Sequence, residues 1–116
     1  MVDGGPVVPA RTLTIVDAAG PRTVLFGETL AFSVRYAEAD GRPVIGEEIV
    51  LGMVGVAHDS SLERTTATTD ADGVAHGLLL AGRTRAFFRV RASAVGAAPA
   101  TFEVAVGDAG FGALRA

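Results

Sequence analysis

Two short stretches hold the side chains that could do chemistry. The first is "TTDADGVAHG", residues 68–77. It sets Asp70 and Asp72 two apart, then Gly73, then His76. A helix-flanked calcium loop needs acidic ligands at its first, third and fifth positions, glycine at the sixth and a bidentate glutamate at the twelfth. With Gly73 in the glycine place, Thr68 stands first and Leu79 last, so both end ligands fail. The stretch reads instead as a turn. Asp70 hydrogen-bonds the turn backbone and Gly73 takes a positive φ. The second stretch is "GVAHDSS", residues 55–61. His58, Asp59 and Ser60 or Ser61 are the residue types of a hydrolytic triad. Neighbours in sequence rarely aim at one another, and no G-x-S-x-G elbow is present. His58 and His76 with no third ligand make a poor zinc site. The chain has no cysteine, which excludes disulfides, thiolate zinc and thiol nucleophiles. No catalytic residue, metal or cofactor is expected.

The densest charge is arginine: Arg83, Arg85, Arg89 and Arg91. Arg89 and Arg91 share the outward side of one alternating run with Phe87. Cross-strand pairing with Glu48 and Glu103 on a solvated face is the expected role, each pair stabilising by under about 1 kcal/mol. Anion or glycan binding is the competing reading, but a single aromatic and no tryptophan supply a weak platform. On another run, His76, Leu78 and Leu80 fall opposite in parity to Ala75, Gly77 and Leu79. If the second set faces the core, two leucines stand on the outer face, either meeting a neighbour or covered by a loop. These six residues, His76, Leu78, Leu80, Phe87, Arg89 and Arg91, are the candidate contact surface.

The elements that must carry these residues alternate with period two. In "ETLAFSVRYAE", Leu30, Phe32, Val34 and Tyr36 alternate with Ala31, Ser33, Arg35 and Ala37. In "AFFRVRASAV", Phe88, Val90, Ala92 and Ala94 form the inner set. In "ATFEVAVG" it is Phe102, Val104 and Val106. "TLTIV", "EEIVLGM", a threonine-rich edge "LERTTATT" and "GVAHGLLLAG" complete seven strands. Turn signals such as Gly20-Pro21, Asp40-Gly41 and Asp72-Gly73 separate them. Short strands at this spacing indicate a β-sandwich.

At 116 residues the chain is one domain. Its net charge of −3 recommends neither nucleic acid nor an anionic membrane as partner. No apolar run reaches the ~18 residues of a membrane span, and nothing at the start reads as a signal peptide. Residues 1–11 read as a linker, 12–107 as the domain, and 108–116 as a linker or the start of a following domain. The chain therefore reads as a piece of a longer protein. Phe111 and Leu114 are apolar enough to dock on the next domain.

The order of these motifs resembles the bacterial Ig-like repeats of the invasin and intimin group, over about residues 12–107. Gly41, Pro43 and Gly46 match the family's second turn. Thr69, Asp70, Gly73 and Ala75 match the entry to the fifth strand, and Val90 and Ala92 lie on the sixth. Asp40 stands directly before Gly41, one residue closer than the family pattern, which predicts a shorter turn. The resemblance implies an all-β, seven-stranded Ig-like sandwich with Greek-key connections. It implies a spacer or adhesion module in an extracytoplasmic bacterial protein. Its partners would be neighbouring domains of the same chain, or a protein or glycan ligand. The alternative is an accessory domain of a secreted enzyme whose catalytic part lies elsewhere. The matched turn residues are structural in the family.

Overall fold

The computed structural model describes residues 11–16 and 21–107. The strands are β1 (Arg11–Ile15), β2 (Arg22–Leu25), β3 (Thr29–Glu38), β4 (Glu48–Val54), β5 (Ser61–Leu62), β6 (Thr66–Thr68), β7 (Val74–Leu80), β8 (Ala86–Ser93) and β9 (Ala100–Gly107). They form a first sheet in the order β1-β3-β7-β5 and a second in the order β2-β9-β8-β4-β6. The inner faces of the two sheets meet in one core. Phe32 of the first sheet packs against Phe102 of the second in a tilted pair, with ring centroids 5.2 Å apart and planes at 57°.

The expected phase holds along most strands. Phe32, Val34 and Tyr36 are buried, as are Phe88, Val90 and Ala92, while Arg35, Arg89, Arg91 and Thr101 are exposed. Gly77 faces inward, where a Cβ would come within 2.3 Å of the Phe32 ring. The missing side chain is the space the phenylalanine occupies. Ala37 breaks the pattern. It belongs to the outward set but is 1% exposed, because Pro43 bridges across it.

The expected seven strands are nine, among the described residues. One of the seven divides between the sheets, and one strand is additional. The run read as strand one is β1 of the first sheet, antiparallel to β3 and starting at Arg11, a residue expected to be linker; the additional strand is β2, in the second sheet and parallel to β9. The threonine-rich edge is the strand that divides. Its start, β5, joins β7, and its end, β6, joins β4.

Register also fixes where the described chain begins and ends. Arg11 lies opposite Glu38 and donates its N–H to the Gly96 carbonyl at 3.0 Å. Gly107 lies opposite Leu25, and its carbonyl accepts the Phe26 N–H at 2.9 Å. The hairpin joining β8 and β9 separates these positions by the length of β9. The chain therefore enters at one pole and leaves at the other. The expectations for residues 1–10 and 108–116 lie outside the described residues.

Candidate functional site

The "DADG" stretch is a tight turn held by Asp70. Asp70 Oδ1 accepts the N–H of Asp72 at 2.9 Å and that of Val74 at 3.0 Å. The Gly73 N–H returns to the Asp70 carbonyl at 2.9 Å, with Gly73 at φ 74°. These bonds to the ionised form, from Val74 first and Asp72 next, hold the Asp70 carboxyl below its ordinary range. The turn also clamps the turn before β4. Tyr36 donates its N–H to the Gly73 carbonyl at 2.8 Å, and a Cβ on Gly73 would lie 2.7 Å from the Tyr36 oxygen and 2.8 Å from Pro43 Cβ. Gly41 and Gly46, at φ 95° and 73°, bracket Pro43 in that turn. Gly46 donates to the Thr69 carbonyl, which ties the two turns together a second time.

His76 stands where β7 passes β3, directly opposite Ser33. Its Nδ1 lies 3.0 Å from Ser33 Oγ, and its Nε2 lies 3.5 Å from Asp70 Oδ2. Serine, histidine and aspartate thus form a line that sequence proximity concealed, since 43 positions separate Ser33 from His76. The line lies on an open sheet face, with His76 and Asp70 side chains 66% and 46% exposed. Ser33 sits mid-ladder, between β1 and β7, where neighbouring N–H groups are committed to strand pairing. Stabilising an acyl-transfer oxyanion takes donors aimed at one point, and a flat ladder does not aim them. What the line does is tie β3, β7 and the turn together. Leu78 and Leu80, expected on this face, are half-buried rather than exposed. β5 lies alongside, with Ser61 opposite Leu80 and the Glu63 N–H donating to the Leu78 carbonyl at 2.9 Å.

The residues of the His58 loop are anchors. Ser60 Oγ accepts the Gly82 N–H at 3.0 Å, and Asp59 Oδ2 accepts the Arg83 N–H at 2.8 Å. Both acceptors serve the connection between β7 and β8. His58 takes φ 54°, the only positive value outside glycine among the described residues.

Phe87, Arg89 and Arg91 lie on the outer face of the second sheet, away from His76 and the leucines. The six expected contact residues therefore belong to two opposite faces and do not form one surface. Arg89 pairs with Glu103 at 3.8 Å, as expected. Glu48 does not join them. It stands opposite Thr68, at the far end of β4. Arg91 lies opposite Gly52, with Val50 and Val54 on either side along β4. Val50, Val54 and Phe87 are 50%, 41% and 64% exposed, which makes this the more apolar of the two outer faces. The valines of β4 give the clue in sequence: Val50 and Val54 have the parity opposite to Ile49 and Leu51.

No family model matches the chain, and no curated protein matches it. Solved structures do. A fragment described as domains 4 and 5 of the S-layer protein SbsC aligns with a TM-score of 0.60 at 12% identity, over 82% of this chain and 50% of that one. A longer form of the same S-layer protein aligns at 0.60 and 12% identity, over 81% of this chain and 12% of that one. The Bacteroides ovatus GH5 xyloglucanase, solved with an XXXG heptasaccharide, aligns at 0.59 and 12% identity, over 83% of this chain and 19% of that one. The chain thus spans half or less of each protein it matches. At such identities the likeness is one of fold: this chain is similar to an all-β part of larger proteins.

Proposed function

We propose that this chain is a non-catalytic Ig-like module, a spacer or adhesion unit of the bacterial invasin and intimin kind, within a larger extracytoplasmic protein. The observation that carries the reading is the path of the chain. It enters beside Gly96 and leaves beside Leu25, at opposite poles, with β2 and β9 parallel. That path suits domains joined in series. The S-layer neighbour, of which a matching part is one piece of a longer chain, supports a structural role. The GH5 neighbour favours the second reading, an accessory domain of a secreted glycoside-cleaving enzyme. The deciding experiment stretches the molecule between its ends. A spacer should resist along that axis more than across it. Equal yielding in both directions, together with retention on an insoluble polysaccharide, would move the case to the accessory-domain reading.

A further inference from the structure

The outer face of the second sheet carries an ordered strip along β4 and β8. At one end stand Glu47 and Glu48, both exposed. Next come Val50 and, opposite it on β8, Ser93. Then Gly52 faces Arg91, and Val54 faces Arg89. Two shallow grooves run along this strip and share Val50 and Ser93. A Cβ on Gly52 would meet nothing within 4 Å, so the strip has an open notch at its middle. Glu48 and Arg91 make no ion pair with each other or with other described residues.

The levels run acid, then valine, then the notch with the base beside it. Reversed, that order complements itself. We propose that this face packs against the same face of a second copy of the chain, with strands antiparallel across a two-fold axis. With the axis at the level of Val50, Glu48 of each copy then lies over the Gly52 notch of the other and meets Arg91 beside it, and Val50 packs on Val50. Two-fold pairing of one self-complementary patch is the commonest form of homo-oligomer. Its anatomy would be usual, with valines at the centre and charges at the rim. Strands about 4.8 Å apart make a five-stranded face on the order of 500 Å² per copy, less than the ~800 Å² of a standard interface. The pair is therefore weak and concentration-dependent. Aliphatic side chains, rather than aromatic platforms, line the strip, which favours a polypeptide over a sugar.

Sedimentation equilibrium of the whole chain tests this at about 50 mM salt, where the Debye length is still over 10 Å, and at up to about 1 mM protein, the reach needed for so small an interface. The weight-average mass should rise from 11.8 kDa towards twice that value. Glu48→Arg alone and Arg91→Glu alone should each raise the dissociation constant at least about tenfold, because a two-fold axis repeats each change. An equimolar mixture of the two variants should pair again, and so should the double variant alone. Circular dichroism and Tm confirm folding. Should a reversal unfold the chain, Glu48→Gln and Arg91→Gln replace it and should each weaken the dimer. A mass fixed at 11.8 kDa throughout would overturn the proposal. So would single variants that pair like the parent, or a mixture no better than its parts.

Discussion

Phe32, Gly77 and Phe102 show how a single atom's worth of space decides a core. The Phe32 ring packs at a tilt against Phe102 only because Gly77 has no Cβ to meet it. Phe32→Ala should cost about 3–5 kcal/mol, the range for a buried phenylalanine. Gly77→Ala should cost about 1–3 kcal/mol from overpacking, although alanine suits a strand better than glycine. Thr101→Ala, exposed on β9, should stay within about 0.5 kcal/mol. Urea unfolding measures all three, and equal costs for Phe32 and Thr101 would sink the assigned phase. The carboxylates make a separate statement. Asp70 and Asp59 are held below their ordinary value of 3.8, Asp70 mainly by the Val74 N–H and Asp59 mainly by the Arg83 N–H. A depressed folded pKa means the folded state binds fewer protons than the unfolded one. The stability it lends is present above pH 3.8 and is lost as pH falls through the folded value. Tm should therefore be level near neutrality and fall below about pH 4. Asp70→Asn can still accept both N–H groups but cannot titrate, so its acid slope should be shallower. An unchanged slope would show that the turn is not the acid-labile element.

At the scale of elements, the alternating runs were legible because each inward residue packs on the opposing sheet. Leu51, Val90 and Val104 lie where parity places them. The additional and split strands were not. β2 buries one apolar side chain, Val24, and its other inward residue is Arg22, whose guanidinium lies 5.7 Å from the Phe102 ring centroid. Such a strand shows no apolar alternation, although it fills a place in the sheet. β5 has only two residues and β6 three, too few for a period to register. The line of Ser33, His76 and Asp70 was hidden for another reason. Strand register makes it, and register is set by the whole sheet. The aspartate turn was legible in type, but its reach was not. Gly73 touches Tyr36 and Pro43, so the turn before β7 locks the turn before β4. Gly73→Ala must hold φ near 74° and push the Tyr36 carbonyl aside. The left-handed backbone alone costs about 1–2 kcal/mol, and the contact adds to it. Chemical denaturation should show a loss beyond that figure, whereas Gly41→Ala, with open space at its Cβ, should show little more than the backbone cost. Equal losses for the two would mean that the turns are not coupled.

For the molecule as a whole, the question is what happens when its ends are pulled apart. β2 follows the entry strand β1 along the chain but lies beside the exit end of β9, and the two run parallel over Arg22–Leu25 and Val104–Gly107. Tension at the two ends draws β2 one way and β9 the other, along their common axis. Their inter-strand bonds, and the Phe26 bond to Gly107 beyond them, are then loaded together in shear. An antiparallel pair pulled from facing residues at one end opens one bond at a time instead. β4 and β6 offer that contrast within the same chain, because Glu48 lies directly opposite Thr68. The absence of cysteine allows attachment points to be chosen at will. One pair of cysteines goes at Arg11 and Gly107, and the other at Glu48 and Thr68. Forced unfolding reads the barrier to opening rather than the equilibrium stability, so the two geometries can differ in one protein of one stability. The first should break at clearly higher force than the second, and its first event should release most of the chain at once, because parting β2 from β9 exposes the core edge at Val24 and Val106. If both directions gave way at the same force, or if stretching by the ends released a short segment while β2 and β9 stayed paired, the parallel pair would not be the clamp. The opposite-pole path would then describe where the chain runs without describing what it bears.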